Sequence, residues 1–204
     1  DGLRDDVIRK DFSFDIINGV SGLIAPLLDL QSSKAHEMAI ICGDHLLDNQ
    51  GNSGAWNLPN YKHPLTGFAY GTAGIAAALC RVFLFTGDKK YLYSAKKALE
   101  YERSTFQDSS QNWPDLRAFK SKGDLTNREY KYMTSWCSGA PGIALGRACL
   151  WGSDLWDEQI NEEISIALLI TSKFLNTFDS VYIKKVQQGV HNFKSMDNLL
   201  KCAA

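Results

Sequence analysis

Between Thr134 and Leu150 the 204-residue sequence reads "TSWCSGAPGIALGRACL", which places the thiol of Cys137 two residues before Gly139 and an apolar run of helix length. Unpaired N–H groups and the positive end of a helix dipole favour a thiolate at such a place. The setting suits a nucleophile or a zinc ligand, while a buried thiol acting as a small hydrophobe is the plainer alternative. Asp15 in "FDIING" and Tyr70 in "FAYG" also stand just before glycine pairs. If the three turns gather at one end of the fold, a carboxylate, a phenol and a thiol face one cavity as an acid–base and metal set. Capping or turn formation is the competing account of Asp15, and aromatic packing that of Tyr70. The histidines His36, His45, His63 and His191 are dispersed, with no HExxH or close pair, so on their own they signal no metal site.

What would position these groups is a repeat. "NGVSGLIAPLLDL" from Asn18, "YGTAGIAAALCRVFLF" from Tyr70 and "SGAPGIALGRACL" from Ser138 each join a Gly-x-x-Gly turn to an almost wholly apolar run. The glycine pairs are Gly19/Gly22, Gly71/Gly74 and Gly139/Gly142. A more polar stretch follows each run, with apolar residues at helical spacing: Ala35, Met38, Cys42 and Leu46, then Tyr91, Ala95 and Leu99, then Ile160, Ile164, Leu168 and Leu175. Gly87-Asp88 and Gly152-Ser153-Asp154 break the last two pairs.

Repeated supersecondary units decide an architecture. These predict an all-α fold of helical hairpins near 15–50, 68–106 and 137–178, with a divergent tail over 179–204. An α-solenoid would use such hairpins, but the apolarity of the inner helices favours an (α/α) toroid or barrel, here as an incomplete ring. A segment of this length with few strand signals, from Ser109 to Thr134, is expected to be functional or disordered. Its "NWPDLR", Asn112 to Arg117, predicts an ordered loop over the face where the glycine turns gather.

Composition narrows the partners. The chain is 45% hydrophobic and 22% charged with a formal net charge of −1, which gives no broad basic field for nucleic acid and no polybasic membrane patch. No apolar stretch approaches the roughly 20 residues of a membrane span. The five cysteines, Cys42, Cys80, Cys137, Cys149 and Cys202, lack CxxC spacing. That argues against a disulfide framework and for a reducing cytoplasm.

At these residues the sequence resembles the LanC-like lanthionine synthetase cyclases, and looks closest to the cyclase portion of class II (LanM-type) lanthipeptide synthetases. The carriers are "FDIINGVSGLIAPLL", "PLTGFAYGTAGIAAAL", "ALEYERSTFQDSSQNWPDLR" and "YMTSWCSGAPGIALGR", in that order. The resemblance implies a toroid of hairpins, residues 1–204 forming part of one cyclase domain. It also implies addition of a peptide cysteine thiol to dehydroalanine or dehydrobutyrine, which closes a thioether ring. A zinc ion would bind the substrate thiol and lower its pKa. Cys137 matches the first zinc ligand in the family's Trp-Cys-x-Gly, and Asp15 the aspartate proposed for acid–base work. The implied partners are a precursor peptide and a dehydratase domain preceding the cyclase in the same polypeptide.

Three departures temper the match. Tyr70 stands where the family has the histidine of Phe-Ala-His-Gly; a phenol keeps its proton at neutral pH and makes a poor shuttle. Met133 replaces an arginine that some members carry. The Cys-His-Gly or Cys-Cys-Gly that completes the zinc site is absent, leaving His191 and Cys202 as the downstream candidates to join Cys137. A degenerate, non-catalytic peptide-binding homologue or a truncated relic is therefore the alternative. A glycan-processing toroid ranks below both, because Asp15 has no evident partner carboxylate. An incomplete ring would leave inner-helix faces bare, from which self-association of the isolated chain is expected.

Overall fold

The computed structural model describes residues 5–59, 61–117 and 131–175. After a short α1 (Asp5–Ile8) come three consecutive helical hairpins: α2 (Ser21–Asp29) with α3 (Ser33–Asp48), α4 (Thr72–Thr86) with α5 (Lys89–Thr105), and α6 (Ala140–Ala148) with α7 (Glu158–Leu175). A two-stranded antiparallel ribbon, β1 (Thr134–Ser135) and β2 (Ser138–Gly139), leads into α6. The fold is all-α, as the repeat predicts. The tail over 179–204 lies outside the described residues. Among the described residues no helix is long and apolar enough to cross a membrane.

The inner helix α4 packs against both α2 and α6, and every residue from Thr72 to Cys80 is buried. That is why its sequence is apolar all round. The outer helix α5 buries only one stripe, including Tyr91, Ala95, Ala98 and Leu99, and leaves lysines outside. Its start is fixed by Asp88, whose Oδ1 accepts the Lys90 N–H at 3.0 Å. The preceding Gly87 closes α4 in the left-handed conformation, φ 73°, its N–H on the Phe83 carbonyl. Below the outer face Trp56 is buried and donates Nε1–H to the Leu46 carbonyl at 2.8 Å.

The Gly-x-x-Gly repeat has one physical cause. The second glycine of each turn, Gly22, Gly74 and Gly142, lies against the backbone carbonyl six residues earlier, that of Ile16, Phe68 and Trp136. A Cβ at any of the three would come within 3.0 Å of that oxygen. The turns also interlock. The Ile16 side chain lies over Gly74, and the Phe68 backbone nitrogen lies beside Gly142.

Hairpins two and three are joined by buried charge. Glu102 of α5 is fully buried; its Oε1 accepts the N–H groups of Gly67 and Ala73 at 3.0 Å each, and its Oε2 takes Arg147 Nη1 of α6 at 2.8 Å. Arg147 also donates Nε–H to Glu163 Oε2 of α7 at 2.6 Å, and Glu163 is met by Arg103 of α5. Complete burial pushes the Glu102 carboxyl up, and the Arg147 charge with the two N–H groups works against that. Removing one partner of such a set strands the rest. Arg147→Met is expected to destabilise the chain by about 3–5 kcal/mol in urea denaturation. Gly74→Ala should cost about 3 kcal/mol, because its obstacle is backbone. Gly87→Asn, at an open left-handed site, should cost about 1 kcal/mol or less.

Candidate active site

Two main-chain hydrogen bonds lace the three glycine turns together. Ile16 N–H donates to the Ala69 carbonyl and Ala69 N–H to the Cys137 carbonyl, both at 3.1 Å. The convergence that the sequence allowed is thus made by backbone, and the side chains follow from it. Cys137 sits in the tight turn between β1 and β2, with Ser135 paired to Ser138, three residues before α6 begins. The sequence placed this thiol at the mouth of the helix. The ribbon intervenes because Gly139 adopts φ 75°, which swings the chain out of helical geometry just before Ala140. The Cys137 Sγ lies 3.0 Å from Ser135 Oγ, and its neighbour Trp136 is 55% exposed.

Cys137 and Tyr70 line one narrow crevice together with Thr66, Asp115, Arg117 and Ser138, whose walls enclose no space for a water molecule. The "NWPDLR" loop forms the opposite wall, as expected. Its Pro114 carbonyl accepts the Thr66 hydroxyl at 2.9 Å, and the Asp115 N–H donates to the Lys131 carbonyl at 2.7 Å. Within it Asp115 and Arg117 make a two-pronged pair, Nε to Oδ1 and Nη2 to Oδ2, both 2.9 Å. The Arg117 guanidinium also reaches Met133 Sδ and stands 5.9 Å from the Tyr70 ring centre. Partial burial works to raise the Asp115 carboxyl, but the hydrogen bonds and charge of Arg117 outweigh it and hold it below the usual carboxylate range.

A family model described as "Lanthionine synthetase C-like protein" matches residues 2–180. The chain belongs to the lanthionine synthetase C-like family. Among solved structures it is similar to one titled "Nisin cyclase", at 20% identity and a TM-score of 0.62, covering 78% of this chain. That match spans 45% of the nisin cyclase chain. No curated protein sequence gives a match.

In this LanC-like chain Asp15 is not among the residues that line the cleft with Cys137 and Tyr70. Asp15 is buried, and its Oδ1 accepts the N–H groups of Ile17 at 2.8 Å and Asn18 at 2.6 Å, closing the first glycine turn. It stands four residues before Gly19, whereas Cys137 stands two before Gly139, so Ile17 and Ala69 hold the places equivalent to Cys137. Asp15 is absent from the cleft lining, and burial raises its carboxyl against those two N–H bonds. His191 and Cys202 lie outside the described residues. Among the described residues no group of three His, Cys, Asp or Glu side chains gathers as a metal site. Asp115, the carboxylate nearest to that role in the cleft, is already held by a cation. Of the other cysteines Cys42 and Cys80 are buried and Cys149 is half-buried. His45 is core: its ring nitrogen Nε2 meets the Asp11 carbonyl at 2.8 Å.

The sequence marks the loop holding Asp115 and Arg117 as ordered but gives neither residue a role. The available signal was the D-x-R spacing beside a proline, which lets one carboxylate hold the guanidinium two residues on. Buried Asp15 and partly buried Asp115 respond to pH with opposite sign. Asp115, whose folded value is lowered, contributes stability that is present above the ordinary value of 3.8 and is lost as pH falls through its folded value. Asp15, whose folded value is raised, contributes most below 3.8 and loses that contribution as pH climbs through its folded value. Urea midpoints measured from pH 3 to 6 should therefore show the wild-type advantage over Asp115→Asn growing with pH and that over Asp15→Asn shrinking.

Proposed function

We propose that this chain is the cyclase part of a lanthipeptide synthetase, which adds peptide cysteine thiols to dehydroalanine or dehydrobutyrine. The observation that carries the reading is Cys137 and Tyr70 sharing one cleft at the gathered glycine turns of a LanC-like fold. The exposed indole of Trp136 beside the cleft offers a flat apolar contact for a peptide. In the reaction a thiolate sulfur bonds to Cβ of the dehydro residue, the π pair moves toward the carbonyl oxygen, and Cα then takes a proton. Tyr70, which lines the cleft, is the candidate donor of that proton.

A zinc ion, when bound, would make an incoming thiol anionic at neutral pH. Cys137 is the one proposed ligand among the described residues; His191 and Cys202 would have to supply the others. The polypeptide is taken to work in the reducing cytoplasm on a peptide already dehydrated, by a domain of the LanM type ahead of it. Asp15, buried and bonded to its own turn, supports the site by fixing that turn rather than by touching substrate.

The test is thioether formation from a dehydrated precursor peptide, read as loss of alkylatable thiol by mass spectrometry, with zinc content measured in parallel. Cys137→Ala should reduce closure to the uncatalysed rate and remove bound zinc, and Tyr70→Phe should slow closure while leaving zinc in place. Ring closure that is unaffected by Cys137→Ala would overturn the assignment. The second reading, a peptide-binding homologue without catalysis, is favoured by Tyr70 in place of the family's histidine. It predicts peptide binding with no thioether product at any zinc concentration.

A further inference from the structure

The Asp115–Arg117 pair is built in a way that loop stability does not require. Its partners are two residues apart, so the ion pair closes no loop and ties no distant segments. The loop is already held by the Thr66–Pro114 and Asp115–Lys131 hydrogen bonds. What the two-pronged contact does fix is the direction of the guanidinium. Three acceptor bonds at one carboxylate define it: Arg117 Nε at 2.9 Å, Nη2 at 2.9 Å and the Arg117 backbone N–H at 3.1 Å. The Met133 sulfur and the Tyr70 ring pack against the cation from the sides. A guanidinium carries five N–H donors, and the carboxylate engages two side-chain nitrogens on one edge. The result is a half-buried, oriented cation in the wall of the cleft that holds Cys137 and Tyr70.

We propose that Arg117, positioned by Asp115, binds the carbonyl oxygen of the dehydro residue as negative charge develops on it. This rests on the thioether reading of the site. The chemistry balances within the substrates. The sulfur–Cβ bond forms as the Cα–Cβ π bond breaks, and its electron pair makes an enolate whose oxygen faces the guanidinium. Protonation of Cα returns the pair and restores the carbonyl, so the proton lost by the thiol is matched by the one gained at Cα. No oxidant or further reactant is needed. A fixed donor aimed at an oxygen that becomes anionic only in the transition state accelerates the step, whereas one shared equally with the ground state does not. Asp115 is a positioning residue here, and Arg117 the group that touches substrate.

Two measurements on the full chain decide it. The first needs no turnover. Binding of oxamate, a planar anionic enolate mimic, is followed by calorimetry in wild type, Arg117→Met and Arg117→Lys, with Arg81→Met as a control at an exposed ion pair. The expected result is saturable wild-type binding, weakened about 10-fold or more by Arg117→Met. Arg117→Lys should restore part of it, and Arg81→Met should leave it unchanged. Equal affinity in wild type and Arg117→Met, or no saturable wild-type binding, overturns the proposal. Thermal melts of the same samples identify a variant that has merely unfolded, in which case Arg117→Lys against wild type carries the comparison. The second measurement is closure of the dehydrated peptide. Arg117→Met should lower kcat on the order of 100-fold with little change in KM. Asp115→Asn should fall between the two proteins. An unchanged kcat would overturn the assignment. Oxamate binding lost in Arg117→Met while wild type forms no thioether would instead sink the cyclase reading and leave the anion site standing.

Discussion

Everything at the face of the gathered glycine turns depends on one carboxylate that never sees solvent. Glu102 lies in the second outer helix, yet its two oxygens reach the second glycine turn, the first turn of α4 and the third inner helix. The N–H groups at Gly67 and Ala73 are among those that a helix start and a sharp turn leave unpaired, and Gly71, the N-cap residue of α4, has no side chain to offer them. Glu102 satisfies them from the neighbouring helix. Because Arg147 neutralises it, and Glu163 with Arg103 complete the set, the charge is tolerable inside. The same contact sets where hairpin three sits against hairpin two, and so where Cys137 arrives beside Tyr70. A tertiary ion pair acts here as a helix cap.

The glycine turns show how little side chain the architecture uses at its most crowded point. In all three hairpins a carbonyl lies against the second glycine, and the main-chain bonds from Ile16 to Ala69 and from Ala69 to Cys137 run across the turns. Such contacts fix the backbone without reference to side-chain chemistry. The positions equivalent to Cys137 can therefore carry Ile17 and Ala69. That freedom is what lets one repeat bear a thiol while its sisters bear hydrocarbon.

How much of this was legible follows from the range of each interaction. The hairpins, their apolar inner helices and the breaks at Gly87 and Gly152 were readable, since spacing and turn chemistry act over a few residues. The gathering of the turns was readable too, from the repeat of Gly-x-x-Gly. Three things were not. Glu102, Arg147 and Glu163 are far apart in sequence, and each taken alone looks like an ordinary charge on a helix. The β-ribbon around Cys137 is two residues per strand, too short to leave a period, and it depends on the positive φ of Gly139. The spacing of Asp15 from a glycine pair allowed a place in the cavity or a turn-forming role, and which one holds depends on the N–H groups two and three residues ahead, onto which its carboxylate folds.

The placement of the sulfur in a β-turn rather than on a helix changes what can activate it. At a helix N-terminus the dipole and the unpaired N–H groups would act on the thiol directly. In the turn its near neighbour is the Ser135 hydroxyl, and the fixed cation of the cleft is Arg117, brought by another segment of the chain. The Cys137 carbonyl is already committed to Ala69, so the turn cannot tilt to seek a partner. Positive charge for thiol chemistry must then come from outside the turn, from the loop wall or from a bound ion. That requirement is electrostatic, and it would tie any chemistry proposed for Cys137 to the loop that carries Asp115 and Arg117.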